Sequence, residues 1–121
     1  MATLTTALTI TSTDNTTDVL QLSVTDSLTT GNPSAQIART SVATAGQFNV
    51  LTAGDNTGIT YVYLKNMDAT NIIVIKIDDA TTFMDLGPGE FAFLPVKGGV
   101  GLEATADTDA CILEYGYWTK A

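Results

Sequence analysis

Hydrophobic positions recur at every second residue along much of the chain. Leu4, Leu8 and Ile10 share one parity, with threonines on the other. Leu20, Leu22 and Val24 alternate with Gln21, Ser23 and Thr25, and Val100, Leu102 and Ala104 alternate with Gly101, Glu103 and Thr105. A period of two sends successive side chains to opposite faces, so these stretches predict strands with one wet face. Three other runs are apolar at both parities: residues 59–64 (ITYVYL), 71–77 (NIIVIKI) and 111–118 (CILEYGYW). They predict central strands buried between two layers.

Turn-forming residues separate these runs at Asp14-Asn15, Gly31-Asn32-Pro33, Gly54-Asp55-Asn56, Asn66-Met67-Asp68, Asp78-Asp79, Gly87-Pro88-Gly89, Gly98-Gly99 and Asp107-Thr108-Asp109. Residues 34–46 (SAQIARTSVATAG) are the one mild helical candidate, and their β-branched members favour a strand. Short strands broken by such turns predict an all-β fold, an antiparallel β-sandwich or jelly-roll-like single domain spanning 1–121. The composition shifts near residue 55, from Thr/Ser-rich to aromatic-bearing. Residues 1–18 are therefore expected as an arm or an edge strand at an interface.

Charge narrows the functional classes. Only 15% of residues are charged, against roughly 25% in an average domain. Neutral hydroxyls supply most of the remaining polarity, and a partner covers these without stripping water from ions. That suits a subunit packed in an assembly. The formal charge is −8, and Arg39, Lys65, Lys76, Lys97 and Lys120 are scattered along the chain. Nucleic-acid binding needs a basic patch, and an anionic membrane repels an acidic chain; neither partner is expected. The start, MATLTTALTITSTDNTTD, lacks the basic region and apolar core of a secretory signal. No run approaches the ~20 apolar residues of a membrane helix. Folding in a cytoplasm is the expectation.

Candidate chemistry is sparse. There is no histidine, which removes the commonest general base and zinc ligand. The single Cys111 excludes an internal disulfide and has no base to activate it. In residues 86–96, LGPGEFAFLPV, the glycines precede an alternating strand, whereas a phosphate cradle needs a helix behind it. A type II corner is expected, with Gly89 at positive φ. Asp85 and Glu90 flank it as a carboxylate pair, with nothing to indicate the burial that acid–base work requires. Asp78-Asp79 and Asp107/Asp109 carry oxygen ligands but lack a calcium-loop order, and turn capping is the expected role. KGGVGLEA at 97–104 is followed by a strand and so fails as a dinucleotide fingerprint. Asn15-Thr16-Thr17 spells a glycosylation acceptor and nothing more. No enzyme activity, cofactor or metal is expected. Tyr61, Tyr63, Tyr115, Tyr117 and Trp118 suggest either core and interface packing or an aromatic platform for sugar. Trp118 has the parity opposite Tyr115 and Tyr117, so one set points away from the core.

The second half has a recognisable order: YVYLKNMDATN, then DDATTFMDL, a Pro-Gly-Glu corner, EFAFLPV, VGLEATAD and a closing ACILEYGYW. Over residues 59–118 it resembles the small β-rich accessory structural proteins of tailed bacteriophages, particularly capsid cement or decoration proteins. The resemblance implies a sandwich or jelly-roll subunit, often a homotrimer. Such a subunit sits on the major capsid protein at the virion surface, assembled in the host cytoplasm. The expected interface residues are Leu4, Leu8, Tyr117 and Trp118. The alternatives are a tail, neck or fibre-associated virion component and a carbohydrate-binding β-sandwich module.

Overall fold

The computed structural model describes residues 2–15, 17–78 and 81–121, with side chains for all of these but 33–35. The described residues form nine strands: β1 (Ala2–Ser12), β2 (Leu20–Val42), β3 (Phe48–Leu51), β4 (Thr60–Asn66), β5 (Ile73–Ile77), β6 (Thr81–Leu86), β7 (Phe91–Val96), β8 (Leu102–Ala106) and β9 (Cys111–Lys120). They make a five-stranded sheet, ordered β1-β2-β9-β4-β7, and a four-stranded sheet, ordered β3-β8-β5-β6. Every pairing is antiparallel.

The strand order has a simple origin. β5 pairs with β6; moving outward along the chain, β4 pairs with β7, β3 with β8 and β2 with β9. The chain from β2 to β9 is thus one long antiparallel ribbon bent at its middle. Rolled up, it places alternate pairs in opposite sheets, which is the eight-strand jelly roll. The expected all-β sandwich is what forms, and β1 is an addition at its edge.

Period-two patterning fills the space between the sheets. Val42, Val62, Leu64, Val96, Cys111 and Leu113 face inward from one sheet, and Ile73, Ile75, Leu86, Leu102, Ala104 and Ala106 from the other. Each large aliphatic among them contributes roughly 1.5–3 kcal/mol through burial. The corners follow the turn chemistry. At Gly87-Pro88-Gly89-Glu90, the Glu90 N–H donates to the Gly87 carbonyl at 3.0 Å and Gly89 sits at φ +75°, a type II turn. The Glu90 carboxylate accepts the Gly87 N–H in turn.

Two buried asparagines pin the ends of β4. Asn56 donates to the Lys97 and Val100 carbonyls at 2.6 and 3.0 Å and accepts the Thr60 hydroxyl at 2.7 Å. Asn66 donates to the Asn71 and Leu86 carbonyls at 2.8 and 2.9 Å and accepts the Asp68 N–H at 2.9 Å. Each amide donates to two carbonyls of neighbouring loops or strands, which ties those segments to the ends of β4.

Two expectations are corrected. Gly31-Asn32-Pro33 is no turn but an irregular passage inside β2, whose register shifts between Gly31 and Ser34 and again between Ala35 and Ala38. The strand changes partners at this point, from β1 on Leu20–Thr30 to β9 on Thr30–Val42. Extra residues absorb the bend, and a proline without an N–H is tolerated at a bulge. The doubly apolar runs do become interior strands of their sheets, yet only one face of each meets the core. Val74 and Lys76 on β5 are half-buried, and Ile112 on β9 is exposed.

Replacing Asn66 by leucine is expected to cost about 3 kcal/mol or more, because it leaves two carbonyls and one N–H buried without partners. Asn56→Leu should behave alike. Denaturant unfolding measures both; a loss below about 1 kcal/mol would show that water reaches these carbonyls.

Candidate functional site: an apolar hairpin over an aromatic sheet face

The first half of β2 runs beyond the end of β9 and is held only by β1. Eleven residue pairs join them, from Ala2↔Thr30 to Ser12↔Leu20. The Ser12 hydroxyl closes the far end by accepting the N–H groups of Asp14 and Asn15 at 3.4 and 3.0 Å. The register places Leu4 opposite Leu28, Leu8 opposite Val24 and Ile10 opposite Leu22. One face of this hairpin is therefore an aliphatic stripe, interrupted once by the Thr6–Asp26 pair, and the other is mainly threonine and serine. The stripe is not covered: Leu8, Ile10, Leu22 and Val24 all remain exposed, Leu8 at 45%.

The five-stranded sheet presents an outer face below the hairpin. Alternation against the core places Tyr61, Tyr63 and Lys65 of β4 there, with Phe91, Phe93 and Pro95 of β7 and Ile112, Glu114, Gly116 and Trp118 of β9. Tyr61 and Phe93 stack nearly parallel, with ring centres 6.0 Å apart. Gly116 leaves room for its neighbours: a Cβ there would lie 2.9 Å from Ile37 Cδ1 and 3.1 Å from the Trp118 ring. The hairpin leans back over this face. A groove of about 420 Å³ runs between them, lined by Thr6, Leu8 and Val24 on one side and Tyr63, Phe91 and Phe93 on the other. Leu4 and Ile37 continue it toward Trp118.

One polar cluster lies in the groove floor. Tyr63 donates its hydroxyl to Glu114 at 2.7 Å, and Arg39 Nε donates to the other carboxylate oxygen at 2.9 Å. Burial, then the bond to Glu114 and its charge, push the Tyr63 phenol up to about 12. The same bond, together with Arg39, holds the Glu114 carboxyl below its usual range. Both shifts favour the phenol of Tyr63 and the carboxylate of Glu114.

The expected site residues separate in space. Leu4 and Leu8 lie on the hairpin stripe, and Trp118 lies on the sheet's outer face. Tyr117 instead packs on the core, as does Tyr115, which meets Phe48 edge-on at 5.2 Å. Phe91 and Phe93, read from sequence only as strand residues, join the outer face in their place; their odd parity against Ala92 and Leu94 was the available signal. Within residues 1–18, expected as an arm or an edge strand, Ala2–Ser12 form the edge strand β1. Glu90 braces its own corner, and Asp78 accepts the Gly101 N–H at 2.7 Å as a loop cap. Asp79 and Thr16 lie outside the described residues. Cys111 is buried, which pushes its thiol up and away from thiolate chemistry. Among the described residues no group of three or more acidic or cysteine side chains is placed to hold a metal.

The Tyr63–Glu114 pair sets a pH signature. Tyr63 contributes stability fully below the ordinary tyrosine range, and that contribution is lost as pH rises through about 12. Glu114 contributes above the ordinary carboxylate range and loses it as pH falls through its lowered folded value. In an ultraviolet titration, Tyr63→Phe should remove an ionisation step near pH 12, and Glu114→Gln should move that step downward. If Tyr63→Phe instead removes a step near pH 10, the unperturbed tyrosine value, the hydrogen bond is contradicted. No protein-family model, curated protein or solved structure matches the chain.

Proposed function

We propose that this chain is a structural subunit of a bacteriophage particle, bound to the outside of the capsid as a cement protein that stabilises the lattice. The observation that carries the reading is the bare hairpin on an otherwise finished jelly roll. A two-stranded hairpin is at best marginally stable in water, and this one exposes its aliphatic stripe rather than tucking it into the core. Such a surface serves a chain that is completed by neighbours. The resemblance read in the sequence order of residues 59–118 proposes the shell as the setting. Jelly rolls are frequent in capsid proteins, which adds a fold-level analogy.

A second apolar surface fits a bridging subunit. At the other end of the strand order, Ile77, Phe83, Leu94, Pro95 and Val100 line a groove of about 230 Å³ beside β6 and β7. A clamp needs separate surfaces for separate neighbours. Weak contacts then sum through effective concentration, and a subunit that binds only the mature lattice stabilises it by linkage. The expected assembly is a homo-oligomer, a trimer by the resemblance, seated on the major capsid protein.

Purified particles carrying this chain should hold hundreds of copies, with density on the outside of the shell, counted by gel densitometry and seen by cryo-microscopy. Particles lacking it should release packed DNA at a lower temperature. Six or twelve copies would move the chain to the tail or neck. Quenching of Trp118 fluorescence by a specific glycan would favour a carbohydrate-binding module instead.

A further inference from the structure

We infer that the uncovered hairpin stripe is an interface with a second copy of this chain, whose aromatic sheet face receives it. The inference rests on the reading of the chain as an assembly subunit and names its first partner. Three observations point to a copy rather than a foreign protein.

The first is area. The chain exposes 7101 Å² at a mass of 12.7 kDa, whereas a compact monomer of that mass exposes roughly 6,200 Å². The excess of about 900 Å² matches what one partner contributes to a stable interface, about 800 Å². The second is shape and chemistry. Leu8, Ile10, Leu22 and Val24 form the bare half of the stripe, while Phe91 and Phe93 stay exposed on the sheet, Phe91 at 62%. The monomer thus leaves two apolar surfaces of matching character open beside one groove. The third is charge. Residues 1–38 carry Asp14, Asp18 and Asp26 and no basic residue. The sheet's outer face reverses this: Arg39, Lys65 and Lys120 stand there with Glu114 alone against them. In a chain of net charge −8, this face is the place where a second copy's acidic hairpin meets cations rather than more carboxylates.

Hairpin stripe and aromatic face lie on the two sides of one groove, so a copy that lends its hairpin also has a face open to receive one. Each copy lends its hairpin to the next and receives one from the previous. Exchanged between two copies, this contact makes a closed two-fold dimer; passed on to a third, it makes a ring. Nothing in it requires the shell, which makes it measurable on the isolated protein.

The test uses light scattering on the full chain and two variants. The wild type should form one species of fixed mass, at least twice that of the monomer. Ile10→Asp with Leu22→Asp, on the hairpin, should weaken self-association by roughly a hundredfold or more. Phe91→Asp, on the sheet, should do the same. Mixing the two variants should restore one intact contact and give a dimer and nothing larger. Circular dichroism monitors folding; should the aspartates disturb it, Ile10→Thr with Leu22→Thr keeps β-forming side chains and replaces that variant. A monomeric wild type, self-association untouched by either variant, or a mixture that stays monomeric would each overturn the inference. A wild type that binds particles yet is monomeric in solution defeats this inference alone. A self-associated wild type that never binds particles defeats the capsid reading alone.

Discussion

The structure depends on β4 being held from both sides and at both ends. Its residues Thr60–Lys65 pair with β7 on one edge and β9 on the other. Asn56 and Asn66 lock the chain entering and leaving it to the neighbouring loops. Without that double anchoring, the jelly roll has no fixed register between its two halves, because β4 joins the outermost pair, β2 and β9, to the inner pair. The same strand sets the outer face. Fixing Val62 and Leu64 inward forces Tyr61, Tyr63 and Lys65 outward, between the aromatics of β7 and Trp118 of β9.

That outward set creates a conflict the monomer leaves unresolved. Tyr63 finds a carboxylate for its hydroxyl, and Glu114 finds a guanidinium, so the polar groups on this face are satisfied. The rings and aliphatic chains are not. Phe91, Phe93, Leu8 and Val24 surround one groove, yet each keeps more than a third of its surface in water. Hydrogen bonding has been completed locally while hydrophobic burial has not. The two differ because a hydrogen bond needs one partner at 3 Å, whereas burial needs a surface closed on every side.

Much of the architecture could be read from alternation alone. The runs at 59–64 and 111–118 became β4 and β9, each flanked on both edges in the five-stranded sheet. Gly89 took the positive φ that a type II corner demands. What could not be read was which partner each face would find. Ile112 and Trp118 look as apolar as Leu113 in the sequence; only the roll of the ribbon decides that they face out. Gly31-Asn32-Pro33 carries strong local turn chemistry, but a strand that must pass from one partner to another uses the same residues for a bulge. Asn56 and Asn66 were legible as turn residues, while their burial depends on carbonyls up to 44 residues distant. Tyr117 and Trp118 are adjacent letters with opposite fates, and parity separated them only once a core existed to define the inside.

The hairpin also explains why assembly and order are coupled in such a chain. A register of eleven paired residues fixes it in length, but no second layer fixes it in space beyond the groove under its middle. Fixing each residue of a backbone costs about 1–2 kcal/mol in entropy, and bare strand pairing does not offset that for long. A neighbour that covers Leu8, Ile10, Leu22 and Val24 supplies the missing burial, so the hairpin becomes firm at the moment it is engaged. Its polar face of threonine and serine is then what the assembly shows to water. Few charges on that face keep the desolvation cost of close packing low, and the acidic residues near its turn keep idle hairpins apart before a cationic surface arrives to receive them.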